Sequence, residues 1–310
     1  MIGHREFILK NKSLVSIDQL DRASLEVILS LAKSFKQQPN HRVLNNKIIA
    51  TAFFEPSTRT RLSFETAVLR LSGQIIGFTD SRSTSSAKGE SLEDTIRMLA
   101  GYADCIVVRH PEENSALRAS KVSKVPIINA GDGSGEHPTQ TLLDLFSILE
   151  TQGRIDHLVI ALTGDLKHGR TVHSLAKALR HYKIKLILMA HPGLEMPESI
   201  IQTCRSAGLD IEIRSQWDLS GGIDILYMTR YQKERWSGSL LDIAPFILTR
   251  TDFEKFNTKK TLKVMHPLPR VGEIDLSVDD APQAYYFQQA ENGLFVRQAL
   301  LSLMLSDFKI

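Results

Sequence analysis

The chain has 310 residues, 42% of them hydrophobic and 24% charged, with a formal net charge of +3. That length accommodates about two domains with ordinary cores, and the composition excludes a disordered or fibrous chain. The mild charge, without a long Lys/Arg block, argues against nucleic acid; no run approaches a membrane span and no signal-peptide pattern opens the chain, so a cytoplasmic protein is expected.

In chain order, "KIIATAFFE" (47–55) reads as a buried strand, with a helix after it from Leu62 to Leu71. "QIIGFTD" (74–80) is strand-like, and "SLEDTIRMLAGY" (91–102) carries Leu92, Ile96 and Leu99 at helical spacing. "CIVVR" (105–109) and "VPIINAG" (125–131) predict strands, and "HPTQTLLDLFSILE" (137–150) a strong helix. The second half repeats the alternation: strand 158–165, helix 171–180, strand 185–190, helix 197–208, segments 224–230 and 262–270 that each place a strand before a polar loop, and a long apolar helix over 293–305. Such alternation predicts an α/β protein of two doubly wound parallel-sheet domains. The domains are expected at 1–149 and 150–291, with a C-terminal helix at about 292–310 packing back on the first. Cys105 and Cys204 lie in apolar contexts and read as buried free thiols, with neither a disulfide framework nor a zinc pattern.

Ligands of open α/β sheets bind beyond the carboxyl ends of strands, so the residues after each strand are the ones to read. The first strand leads into Ser57-Thr58-Arg59-Thr60 and a helix. Unpaired N–H groups at a helix start, two kinds of hydroxyl and a planar guanidinium together suit a phosphate. A capping serine with surface arginines is the plainer alternative, but it accounts for one residue of the four. Arg109 closes the third strand. His137 precedes Pro138, a favoured first helical residue, and would stand at a helix N-terminus where positive charge is disfavoured. A neutral imidazole there could donate to a substrate carbonyl, with Gln140 on the same side. Capping or packing is the alternative use of that histidine. Gly131, Gly133 and Gly135 fall short of G-x-G-x-x-G because position 136 is Glu.

In the second half Arg170 precedes a helix, and Arg230 and Gln232, two apart, would share one face of a strand. Pro267-Leu268-Pro269 is a rigid turn that could aim the Leu268 carbonyl. Lys88 is the conspicuous base of a polar loop, "SRSTSSAKGESLED" (81–94), read either as a plain surface loop or as a lid. One half thus looks suited to a phosphate-bearing carbonyl compound, the other to a carboxylate-bearing one. With no carboxylate pair, Cys–His pair or metal-ligand cluster competing, catalysis by positioning and oxyanion stabilisation is expected.

F-x-x-S-T-R-T-R-x-S-F-E, H-P-T-Q-x-L-x-D and H-P-L-P-R, in this order, resemble the aspartate/ornithine carbamoyltransferase family over nearly the whole chain. Pro267, where the ornithine branch carries Cys, and the "MTRYQKER" segment favour the aspartate branch. The resemblance implies carbamoyl phosphate and L-aspartate as substrates, no metal or cofactor, and a site in the cleft between the domains and at a subunit interface of a homotrimer. It implies that Ser57, Thr58, Arg59 and Thr60 hold the phosphate, and that Thr60, Arg109 and His137 meet the carbonyl oxygen. Gln140, with the Pro267-Leu268-Pro269 turn, would hold the carbamoyl NH₂. Arg170, Arg230 and Gln232 would take aspartate, and Ser85 and Lys88 would enter a neighbouring subunit's site. Some relatives bind a zinc-containing regulatory chain, and the sequence leaves its presence open. His168 stands where many relatives carry Tyr, and "WSGSLLDIAP" (236–245) lacks the Glu-Tyr pair of some allosteric relatives. Two competing readings are a carbamoyltransferase for another amino acid and a non-catalytic anion- or nucleotide-binding protein.

Overall fold

The computed structural model describes residues 9–39, 41–80, 84–236 and 243–306. The chain divides into two compact units, Met1–Phe146 with Glu291–Ile310, and Ser147–Ala290.

In the first unit, β1 (Ile48–Phe53), β2 (Gln74–Phe78), β3 (Cys105–His110) and β4 (Ile127–Asp132) form a sheet in the order β2-β1-β3-β4. Every pairing is parallel. β1 is buried from Ile49 to Phe53 without alternation, as expected of a strand covered on both faces. One face packs Ala50, Ala52, Ile106, Val108 and Ile127 against Leu92 and Ile96 of α3 (Leu92–Leu99) and Ala119 of α4 (Ser115–Val122). An N-terminal helix, α1 (Arg22–Gln37), is capped by Asp21 through the Ser24 N–H at 2.8 Å and buries Leu25, Ile28, Leu29, Ala32 and Phe35 at helical spacing. α2 spans Thr58–Arg70 and α5 Pro138–Gln152.

In the second unit, β5 (Val159–Thr163), β6 (Lys185–Met189), β7 (Asp210–Arg214), β8 (Ile225–Met228) and β9 (Lys263–Met265) run in the order β7-β6-β5-β8-β9, again all parallel. α6 (Arg170–Leu179) and α7 (Glu198–Ser206) pack with them, α8 (Asp252–Lys255) is one turn, and α9 runs Tyr286–Leu305. The core here joins Ile187, Met189, Leu226, Met228 and Val264 of the sheet to Leu248, Phe253, Ile274 and Tyr286. The boundary between the units falls inside α5 and inside α9.

Each sheet reverses its winding once, between β1 and β3 in the first and between β5 and β8 in the second. At such a switch point the loops leaving two adjacent strands part in opposite directions and open a crevice at their carboxyl ends. Among the described residues no helix is long and apolar enough to cross a membrane. Cys105 and Cys204 are free and buried, and burial pushes the Cys105 thiol up to about 12.

Three expectations need correction. The helix after β1 starts at Thr58, not Leu62, so Thr58, Arg59 and Thr60 are its first turn rather than a loop before it. β8 stops at Met228, so Arg230 and Gln232 lie in the loop beyond it and not on one strand face. The final helix starts at Tyr286, seven residues before the apolar run at 293; Gln288, Gln289, Glu291 and Asn292 interrupt the apolar pattern over its first turns.

Candidate active site

The first switch point is built by register. Phe53 of β1 lies opposite Arg109 of β3, and the Phe54 N–H donates to the Arg109 carbonyl at 2.8 Å. The polar turn after β1 and the Arg109 side chain therefore leave the sheet at the same place. Ser57 is the N-cap of α2, yet its hydroxyl makes no capping bond. The Arg61 N–H donates to the Ser57 carbonyl at 3.2 Å, so the N–H groups of Thr58, Arg59 and Thr60 precede the ladder of helix bonds. They point out of a helix end that carries partial positive charge. Arg59 is exposed, though burial of its head pushes its pKa down, while Thr60 is buried. Arg61 pairs with Glu65 one turn on at 3.5 Å and belongs to the helix surface.

Arg109 is held from two sides. It pairs with Glu55 at 2.7 Å and donates through Nη1 to the Ala130 carbonyl at 3.1 Å. Its buried Nε has no partner among the described residues. Burial pushes the guanidinium down, Glu55 pulls it back up, and Arg59 adds to the lowering. Arg59 thus raises the demand of Arg109 for an anion.

His137 directly precedes α5 and is buried; the Gln140 N–H donates to its carbonyl at 2.9 Å and the Thr139 hydroxyl lies 3.4 Å from its Nδ1. Gln140 is buried too, and its Nε2 donates to Asp144 Oδ1 at 2.9 Å. Lys88 ends a short 3-10 turn, Ser85–Lys88, and is exposed. The Ser85 side chain lies outside what the structure describes, as do residues 237–242 of the altered segment.

The second switch point has a carboxylate at its centre. Asp165, fully buried just past β5, accepts from His168 N–H and Nδ1, from the Gln232 N–H at 3.2 Å, and from Trp236 Nε1 at 2.9 Å. Gln232 Nε2 in turn donates to the His168 carbonyl at 2.7 Å. These bonds tie the loop after β8, which carries Arg230, to the turn that opens α6, which carries Arg170. Arg230 is half-exposed and pairs with Glu234 at 2.5 Å. Gly164 makes the close approach of the two strand ends possible. Its φ is +111°, and a Cβ there would lie 2.3 Å from the Thr229 carbonyl oxygen.

The Pro267-Leu268-Pro269 turn follows β9, with a cis Leu268–Pro269 bond and Leu268 at φ 54°. His266 fixes it: its Nδ1 accepts from the Leu268 N–H at 2.8 Å, so its Nε2 carries the proton and faces Glu273 at 2.7 Å. Burial alone would push the Glu273 carboxyl up; the His266 N–H that faces it and the Val271 N–H that donates to it hold it below the usual range. No group of three or more metal-ligating side chains occurs among the described residues.

Two family models match this architecture. The aspartate/ornithine carbamoyltransferase carbamoyl-P binding domain matches residues 12–150, and the Asp/Orn binding domain of the same family matches residues 156–304. The chain belongs to the aspartate/ornithine carbamoyltransferase family. Among carbamoyltransferases, the aspartate carbamoyltransferase catalytic subunit of Parabacteroides distasonis is 50% identical over 297 residues, covering 94% of this chain and 97% of that protein. That of Vibrio vulnificus is 49% identical over 305 residues, covering 96% and 98%. The structure of aspartate transcarbamoylase from Trypanosoma cruzi in complex with carbamoyl aspartate and phosphate has a TM-score of 0.91 to this chain at 37% identity, covering 97% and 98%. The catalytic subunit of M. Jannaschii aspartate transcarbamoylase gives 0.86 at 45% identity, covering 94% and 97%.

In this carbamoyltransferase, Glu55, Asp144, Asp165, His266 and Glu273 hold candidate site residues in place, and the sequence analysis gave none of them a role, although Asp144 and His266 stand in the motifs it quotes. Asp144 was findable, since it lies four residues after Gln140 on one helix face. Glu55 and Glu273 act on partners far away in sequence or across a loop, and nothing local signals them.

Proposed function

We propose that this chain transfers the carbamoyl group of carbamoyl phosphate to the amine of L-aspartate, giving N-carbamoyl-L-aspartate and phosphate, as a step of pyrimidine synthesis. The observation that carries the reading is that each sheet places arginine at its own switch point: Arg59 and Arg109 in the first, Arg170 and Arg230 in the second. The first is joined to hydroxyls and a helix start, which fit a phosphate; the second has two guanidiniums, which fit a dicarboxylate. Relatives named for this activity, about half identical over nearly the full length, support the same choice, as does a relative's structure with carbamoyl phosphate and aspartate bound.

In this mechanism the α2 start and Arg59 hold the phosphate, with Ser57, Thr58 and Thr60 donating to its oxygens. Thr60, Arg109 and His137 donate to the carbonyl oxygen as charge develops on it. Gln140 and the carbonyls of Pro267 and Leu268, in the turn closed by Pro269, accept from the carbamoyl NH₂. Arg170 and Arg230 fork the carboxylates of aspartate, with Gln232 beside them. The amine attacks the carbonyl carbon, the bond from that carbon to the phosphate oxygen breaks, and the departing phosphate takes the amine proton. The working unit is a cytoplasmic homotrimer in which Ser85 and Lys88 enter the neighbouring subunit's site.

Parallel assays with carbamoyl phosphate and aspartate, ornithine or N-acetylornithine test the reading. Turnover is expected with aspartate alone, and a bisubstrate mimic joining a phosphonate to an aspartyl group should bind far more tightly than either half. Turnover with ornithine and not aspartate would overturn it.

A further inference from the structure

The helix that follows His137 and carries Gln140 also carries a buried carboxyl group, and a buried arginine lies in the same unit. Asp144 is fully buried on α5, and Arg297, almost fully buried, projects from α9 within the same unit. Arg297 lies over the Phe64 ring of α2, its Cζ 4.9 Å from the ring centre. Space for it is made by a glycine: a Cβ on Gly293 would lie 2.0 Å from Arg297 Nη1. Burial pushes the guanidinium down to about 9, and the charge that opposes this is Asp144.

The direction of one hydrogen bond decides the chemistry at Gln140. Gln140 turns its NH₂ toward Asp144, donating to Oδ1 at 2.9 Å. The Gln140 carbonyl oxygen is then turned the other way. A glutamine free to rotate would offer either end; this one is set to accept.

We propose that Asp144, buried in the same unit as Arg297 of the C-terminal helix, is a positioning residue that presents the Gln140 oxygen as an acceptor and so selects the NH₂ end of carbamoyl phosphate. The inference rests on the assignment of Gln140 to that NH₂ made above. It gives the C-terminal helix a role in substrate recognition, through two buried side chains and no contact with substrate.

The test compares two probes by calorimetry, phosphonoacetamide, which carries both the anion and the amide, and inorganic phosphate, which carries only the anion. Gln140→Ala, Asp144→Ala and the double variant are measured, with melting curves to establish folding. Each single variant is expected to weaken phosphonoacetamide about tenfold, the worth of one hydrogen bond, leaving phosphate unchanged, and the double variant should be no weaker than either. Equal losses for both probes in Asp144→Ala would make Asp144 merely structural and overturn the proposal, as would losses that multiply in the double variant. If Gln140→Ala itself binds phosphonoacetamide normally, the assignment of Gln140 falls and the inference with it. Should Asp144→Ala fail to fold because Arg297 is stranded, Asp144→Leu with Arg297→Met removes both charges and carries the same comparison.

Discussion

At the residue scale, the candidate site is made of side chains whose partners prepare them before any substrate arrives. His137 is buried at a helix start, a place that disfavours the imidazolium and suits a neutral donor. His137→Ala should therefore lower kcat by about 10²–10³, the usual effect of removing one oxyanion donor, with the aspartate KM little changed. Steady-state kinetics check this, and near-normal kcat would remove His137 from the mechanism. Arg230 presents the opposite case. It is held by Glu234, an exposed carboxylate at 2.5 Å that occupies the fork a substrate carboxylate would use. Such pairs are worth up to about 1 kcal/mol, so Glu234→Ala should lower the KM for aspartate by up to roughly fivefold without moving the melting temperature. A rise in KM would mean instead that Glu234 holds Arg230 in its working position.

At the element scale, the decisive piece is the start of α2. The sequence offered two uses for Ser57, capping a helix or binding an anion. The hydroxyl makes no capping bond, which favours the second. Ser57→Ala should cost well under the roughly 1 kcal/mol of a lost N-cap in urea unfolding, while weakening phosphate binding measured by calorimetry. The strand ends of the second sheet impose a different demand. Gly164→Ala would put a methyl 2.3 Å from the Thr229 carbonyl and force an L-residue to φ +111°. The conformation alone costs about 1–3 kcal/mol, so the melting temperature should fall by several degrees, with the KM for aspartate raised because Asp165 moves with the strand end. Element type was legible where the local pattern was strong, in the unbroken apolar runs of β1, β3 and β5 and the helical pattern of α5. Boundaries were not: the first turn of α2 is Thr-Arg-Thr, and nothing in those side chains distinguishes a helical turn from a loop. Arg230 and Gln232 look like neighbours on a strand, but the sheet ends at Met228, where β8 loses its pairing with β5.

At the scale of the whole molecule, Lys88 stands exposed at the end of a short turn, where a second subunit could receive it. Arg59→Ala and Lys88→Ala should each be nearly inactive alone. Mixed and reassembled in equal amounts, they should recover about a quarter of wild-type activity, the share of sites drawing an intact Arg59 and an intact Lys88 from different subunits of a cyclic assembly. Activity that stays at the level of the parents, in trimers verified to be mixed, would refute the shared site.

The sequence by itself determined the α/β class, the parallel character of both sheets and the polar clusters proposed to bind anions. These depend on local pattern: unbroken apolar strands, helical spacing, and polar residues gathered after strand ends. Only the tertiary structure decided how those residues are held. Strand order, β2-β1-β3-β4 and β7-β6-β5-β8-β9, brings Arg109 beside the turn after β1 and Arg230's loop beside Asp165. Glu55 with Arg109, Asp165 with Gln232 and Trp236, and Asp144 with Arg297 are partners separated by long stretches of chain. A buried charge must find its counterpart in space, and periodicity along the chain carries no record of that choice.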